Sequence, residues 1–72
     1  MLHLGTVIRN LRIKNRLSQT ALAHLIDVPS QSKISAWESE KSLPDVIEAK
    51  KLAQIFGLSL DDFLREISVQ ND

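Results

Sequence analysis

Residues 17–44 read LSQTALAHLIDVPSQSKISAWESEKSLP. Ser18 carries the kind of small hydroxyl that accepts from a free first-turn amide, so it predicts an N-cap with a helix over residues 19–26 behind it. Leu22, Ala23, Leu25 and Ile26 give that helix its apolar stripe. Asp27, Val28, Pro29 and Ser30 then break the pattern. Pro29 has no place in a helix interior, and Ser30 is suited to cap a new start. A further helix is predicted over residues 31–39, with Ile34 and Trp37 three apart on one face, and Ser42, Leu43 and Pro44 end it.

The flanks extend the helical reading in both directions. Upstream, Leu4, Val7, Ile8 and Leu11 stand at i, i+3, i+4 and i+7, one face of a helix over residues 3–15. Downstream, Asp45 and Glu48 have capping-box spacing and open a fourth helix, with Asp in place of Ser or Thr. Ile47, Leu52, Ala53 and Phe56 are expected to line its inner face, and Ala49 to let a neighbour approach. Gly57 suits the left-handed residue that closes a helix. Ser59 and Asp62 repeat the cap signal before a fifth helix striped by Leu60, Phe63, Leu64 and Ile67. Residues 68–72 are polar and read as a flexible tail, which leaves one domain over residues 1–67. No strand alternation competes, so the fold class is all-α with five short helices.

Composition narrows the function. The 72 residues hold no cysteine and are 43% apolar, which argues against disorder and against a disulfide scaffold. A chain this short buries only about 60% of the surface its unfolded form exposes, so its core gives a thin margin. Apolar runs are pairs and triplets, too short for a membrane span or a signal-peptide core. A cytoplasmic location is therefore expected. Nine Lys and Arg balance nine Asp and Glu, which excludes a strongly basic, non-specific nucleic-acid coat. The balance hides a gradient. Residues 1–41 hold six cations against three anions, and residues 42–72 hold three against six. The N-terminal half is thus suited to face an anion.

Two helices of about two turns, joined by a short break, with small polar residues opening the second, suggest a helix-turn-helix. The residues also resemble one family. Ser-Gln at the start of helix two, Ile-Ser-x-Trp-Glu in helix three and Leu-Ala-x-x-Phe-Gly-Leu-Ser-Leu-Asp further on are together similar to the phage-repressor/Cro (XRE) helix-turn-helix proteins. The segment LGTVIRNLR looks like that family's first helix, and AKKLAQIFGLSLDDFL like its fourth and fifth, so the resemblance spans roughly residues 4–64. It implies a five-helix, lambda-repressor-like domain that binds duplex DNA as a homodimer on a palindromic operator. Three features depart from the family pattern. Asp27 stands where a left-handed glycine is usual, the turn is one residue longer, at Pro29, and Glu40 follows helix three where glycine is common.

The major groove, about 12 Å wide, admits a helix whose outward N-terminal residues are slim and polar. Helix three offers Gln31, Ser32, Lys33, Ser35, Ala36 and Ser39. By family position Gln31, Ser32, Ser35 and Ala36 are the expected base contacts: glutamine suits adenine, and alanine a thymine methyl. Gln19, in the first turn of helix two, and Lys33 are expected phosphate contacts, and Lys41 and Ser42, just past helix three, resemble the family's second phosphate contact. Arg9, Lys14 and Arg16 contribute field or simple solvation. The family pattern also pairs an arginine of helix one with a glutamate of helix three, here Arg12 and Glu38, as a structural salt bridge. Trp37 at helical spacing with Ile34 reads as core rather than as a stacking platform for bases. Leu60, Phe63 and Leu64 are expected at a dimer interface, because related proteins often pair through this region.

Chemistry finds no foothold. His3 and His24 lie on different helices, cysteine is absent, and Asp61 and Asp62 at a helix start match the helix dipole. No enzyme activity, cofactor, metal or small-molecule ligand is expected. Nor is an effector domain expected beside the five helices. The reading is a sequence-specific transcriptional regulator, a repressor by preference, whose partners are duplex DNA, a second copy and a protein such as a toxin or antirepressor. An antitoxin or restriction–modification controller would bind DNA in the same way. From another class, a helical interaction module without DNA affinity would share the fold.

Overall fold

Each of the first four helices closes on a residue in the left-handed conformation. The computed structural model describes residues 3–68, and its helices are α1 (Leu4–Lys14), α2 (Gln19–Leu25), α3 (Gln31–Glu38), α4 (Val46–Ile55) and α5 (Leu60–Ser68). Arg16, Asp27 and Glu40 have φ of 58°, 63° and 64°, and Gly57 has φ of 74°. At each, the left-handed residue donates to the helix's second-last carbonyl and its successor to the one before: Arg16 to Ile13 and Leu17 to Arg12, then Asp27 to His24 and Val28 to Ala23. Glu40 and Lys41 do the same to Trp37 and Ala36, and Gly57 and Leu58 to Gln54 and Ala53. These are Schellman closures, which satisfy carbonyls that a helix end would otherwise leave open. Leu17, Val28 and Leu58 come directly after three of them and pack on the core.

Helix starts are satisfied by side chains. Ser18 accepts from the Ala21 amide at 2.9 Å, and Ser59 accepts from Asp62 at 3.0 Å. The capping box at α4 is complete in both directions: Glu48 N–H donates to Asp45, and Asp45 N–H donates to Glu48. Ser30 holds the N-cap position of α3, yet its side chain makes no cap bond, contrary to expectation. His3 gives α1 no side-chain cap either. Instead the Glu40 carboxylate accepts from the Gly5 amide, so an anion just past α3 sits on the positive end of α1. Glu40 is therefore no stray departure from the family pattern: it joins two helices.

All five helices feed one core. Val7 and Ile8 come from α1, Leu22 and Ala23 from α2 with Ile26 just beyond it, and Ile34 and Trp37 from α3. Leu52 and Ala53 of α4, with Phe56 at its C-cap, and Phe63 of α5 complete it. The Phe56 and Phe63 rings lie 6.3 Å apart at 43°. Trp37 is 1% exposed, so it is core and no platform for bases. Gly5 is where α1 crosses the end of α3: a Cβ there would meet the Trp37 carbonyl at 2.5 Å, the Glu38 carbonyl at 2.7 Å and the Glu40 carboxylate.

Three expectations about faces are corrected. Leu25 is exposed, because α2 turns Leu22, Ala23 and Ile26 inward and Leu25 flanks Leu22 on the far side. Ile47 is exposed as well. It lies five residues before Leu52, well out of phase with the side of α4 that carries Leu52, Ala53 and Phe56. Phe63 is fully buried against Phe56 and is no part of an outer interface. The fifth helix includes Ser68, and the Ile67 side chain and residues 69–72 of the expected tail lie outside the described residues. No helix of the described residues is long and apolar enough to cross a membrane.

Two substitutions test these closures and crossings. Asp27→Gly removes a left-handed penalty from an exposed aspartate and is expected to stabilise the fold by about 0.5–1 kcal/mol, seen as a higher urea midpoint. A lower midpoint would contradict it. Gly5→Ala forces a methyl against two backbone carbonyls and is expected to cost about 1–3 kcal/mol by the same assay.

Candidate nucleic-acid interface

The site begins with Arg12 on the inner side of α1. Its Nε donates to Glu38 Oε2 at 2.6 Å and its Nη2 to Glu38 Oε1 at 3.1 Å, a two-pronged pair. Its Nη1 donates to the Leu17 carbonyl at 2.8 Å. One guanidinium thus joins α1, the connection to α2 and the last turn of α3, which suits its planar fork of donors. The side chains are only 13% and 7% exposed, so neither charge is well hydrated. The hydrogen bond to Glu38 raises the Arg12 pKa above its ordinary value, against a desolvation that works the other way.

Glu38 passes the constraint outward. Its Oε1 also accepts from Gln19 Nε2 at 3.0 Å, and Gln19 Oε1 accepts from Gln31 Nε2 at 2.7 Å. The chain Arg12–Glu38–Gln19–Gln31 therefore runs from a shielded ion pair to the exposed first turn of α3. A cleft of about 270 Å³ beside it is lined by Arg9, Arg12, Gln19, Ser35, Glu38 and Ser39. Gln31 and Ser32 are exposed, while Ser35 and Ala36 are partly covered. Of the expected base-facing set, Gln31 bonds Gln19 and Ser35 shares the cleft with it.

Other expected residues find different partners. Lys33 does not point freely outward: its Nζ lies 2.6 Å from Glu48 Oε2, which raises its pKa above the ordinary lysine value. The Lys33 side chain is still 42% exposed, so the expected phosphate residue stands at the surface already paired with a carboxylate. Lys41 and Ser42 are exposed, and both backbone amides are spent on the Ala36 carbonyl, at 2.9 and 3.4 Å. Only their side chains remain for an anion. Leu60 is half-buried on the core, and Leu64 is 46% exposed. Arg9 and Ser39 stand in the cleft, and nothing in their spacing sets them apart from ordinary surface. The Gln19–Gln31 bond has a faint sequence signal, two amides each in the first turn of its helix.

Removing one partner of a shielded pair leaves the other charge poorly solvated. Glu38→Gln is expected to lower unfolding stability by about 2–3 kcal/mol, measured in urea. An unchanged midpoint would show that the pair does not carry the joint.

With this geometry the chain can be set beside known proteins. The helix-turn-helix family model matches residues 8–63. The crystal structure of the P22 c2 repressor with synthetic operator 9T superposes with a TM-score of 0.79 at 28% identity, covering 88% of this chain and 94% of that one. The solution structure of the DNA-binding domain of the P22 c2 repressor gives a TM-score of 0.80 at 30% identity, over 88% of this chain and 82% of that one. No curated protein matches the sequence. The match over most of the chain, the five-helix superposition and the Arg12–Glu38 joint agree: the chain belongs to the helix-turn-helix family, of the phage-repressor (XRE) type.

Proposed function

We propose that this protein binds duplex DNA sequence-specifically as a homodimer, lays α3 in the major groove of a palindromic operator, and represses transcription there. The observation that carries the proposal is the anchored Gln19–Gln31 pair at the exposed starts of α2 and α3. A glutamine amide has two N–H donors and one carbonyl. One Gln31 N–H goes to Gln19, which leaves an N–H and a carbonyl to meet adenine N7 and N6. Ser32, Ser35 and Ala36 stand further along the same helix as additional base contacts. Gln19, Lys41 and Ser42 are the phosphate contacts, and they set position without reading sequence.

A single reading helix supplies few base contacts. Two, about 34 Å apart, address successive turns of the groove. Leu60 and Leu64, one turn apart on α5, offer the apolar contact for a two-fold pair, without Phe63. The P22 c2 repressor, seen with its operator at a similar fold, supports the same mode here.

Selection from a random duplex library near physiological salt is expected to enrich an inverted repeat with half-sites about one turn apart. Gln31→Ala should then lose about 1–3 kcal/mol of discrimination at one adenine. Lys41→Ala should weaken all sequences alike and flatten the salt slope by about one. Failure to enrich any sequence would overturn the reading and favour an interaction module.

A further inference from the structure

Lys33 is the only cation of α3, and it sits in the turn that the proposed groove contact would use. Its partner Glu48 is no loose surface glutamate. Oε2 of Glu48 takes the Lys33 ammonium at 2.6 Å, while Oε1 accepts from Asp45 N–H at 2.9 Å. The Glu48 amide in turn donates to Asp45 Oδ1 at 2.8 Å. The capping box thus holds the carboxylate in place. The Glu48 side chain is 13% exposed against 42% for Lys33. Asp45 adds a second negative charge close enough to favour the charged ammonium, behind the Glu48 contact itself. A phosphate reaching Lys33 would have to compete with Glu48 for the ammonium and would meet two carboxylates of its own sign.

We propose that Glu48 is an internal competitor of the DNA phosphate, which withholds Lys33 from the duplex and so weakens binding to every sequence alike. The proposal rests on the duplex reading above and adds a residue to it. Phosphate contacts supply essentially all non-specific affinity, whereas base contacts supply discrimination. Withholding one cation from the backbone lowers the first and leaves the second to Gln31. The capping box fixes the Glu48 half of the pair, because its carboxylate cannot rotate away without also giving up the Asp45 amide, so the competing charge stays in place beside Lys33.

The test compares wild type with Glu48→Gln on a random-sequence duplex and on the selected operator, from 50 to 200 mM salt. Glutamine keeps an oxygen for the Asp45 amide, so the cap survives while the charge is lost. Glu48→Gln is expected to bind both duplexes roughly tenfold tighter near 100 mM, with the log–log salt slope steeper by about 0.9 and the ratio between the two unchanged. The gain should vanish in Glu48→Gln/Lys33→Met. A second arm is independent of that variant's folding: Lys33→Met alone should leave the wild-type slope unaltered. A slope unchanged by Glu48→Gln, a gain that survives the loss of Lys33, or a slope flattened by Lys33→Met alone would each overturn the competition. If the wild type shows no salt-dependent duplex binding, the duplex reading itself falls, and the competition with it.

Discussion

The ion pair between Arg12 and Glu38 is the constraint on which the rest of the molecule depends. It has two mutual hydrogen bonds, and Arg12 adds a third to the Leu17 carbonyl. A pair this shielded adds little net stability, since desolvation offsets most of the attraction. Its effect is geometric. With Glu38 fixed from one side by α1, the other side of its carboxylate has one orientation to offer, and Gln19 takes it. Gln19 in turn places Gln31. A second joint lies at the other end of α1, where Gly5 lets the helix settle on the carbonyls ending α3 and Glu40 accepts its amide. Both ends of α1 are thus held against the C-terminal end of α3.

Short helices need their ends satisfied, because much of their backbone is terminal. The chain meets this with left-handed closures, three of them on residues other than glycine. Such a conformation costs a non-glycine residue on the order of 1 kcal/mol. It persists because the residue after each closure is committed elsewhere: Leu17 and Val28 pack on the core, and Lys41 donates to Ala36. The core from all five helices is what holds these positions, a sizeable demand on a small domain.

Local signals were the legible ones. Ser18, the Asp45–Glu48 box, Ser59 and Gly57 act where their spacing put them, and Asp27 does adopt the left-handed state. Each rests on contacts within a few residues, which periodicity and capping chemistry capture. Arg16 and Glu40 take the same state with no residue type to announce it. Ser30 has a capping residue's chemistry and does not use it. The helix phases of Leu25 and Ile47 could have been resolved by setting each against its buried neighbours. The burial of Phe63 could not, since Leu60, Phe63 and Leu64 all have the right spacing and only the Phe56 ring decides among them. Within the candidate site the Arg12–Glu38 pair came from family resemblance. The Gln19–Gln31 and Lys33–Glu48 contacts join residues twelve and fifteen apart in sequence, and no local rule reaches that far.

The central claim is that the interior ion pair sets the reading head through Gln19. Gln19→Met breaks the chain between Glu38 and Gln31 while keeping the Arg12–Glu38 pair and Gln31 itself. Its affinity can be measured for the selected operator and for the same site with the adenine facing Gln31 replaced. The account predicts that the two duplexes become nearly equal, because Gln31 is intact but no longer held. A uniform loss on both, with the preference for adenine retained, would show that Gln19 serves only the phosphate and that the chain does not position recognition.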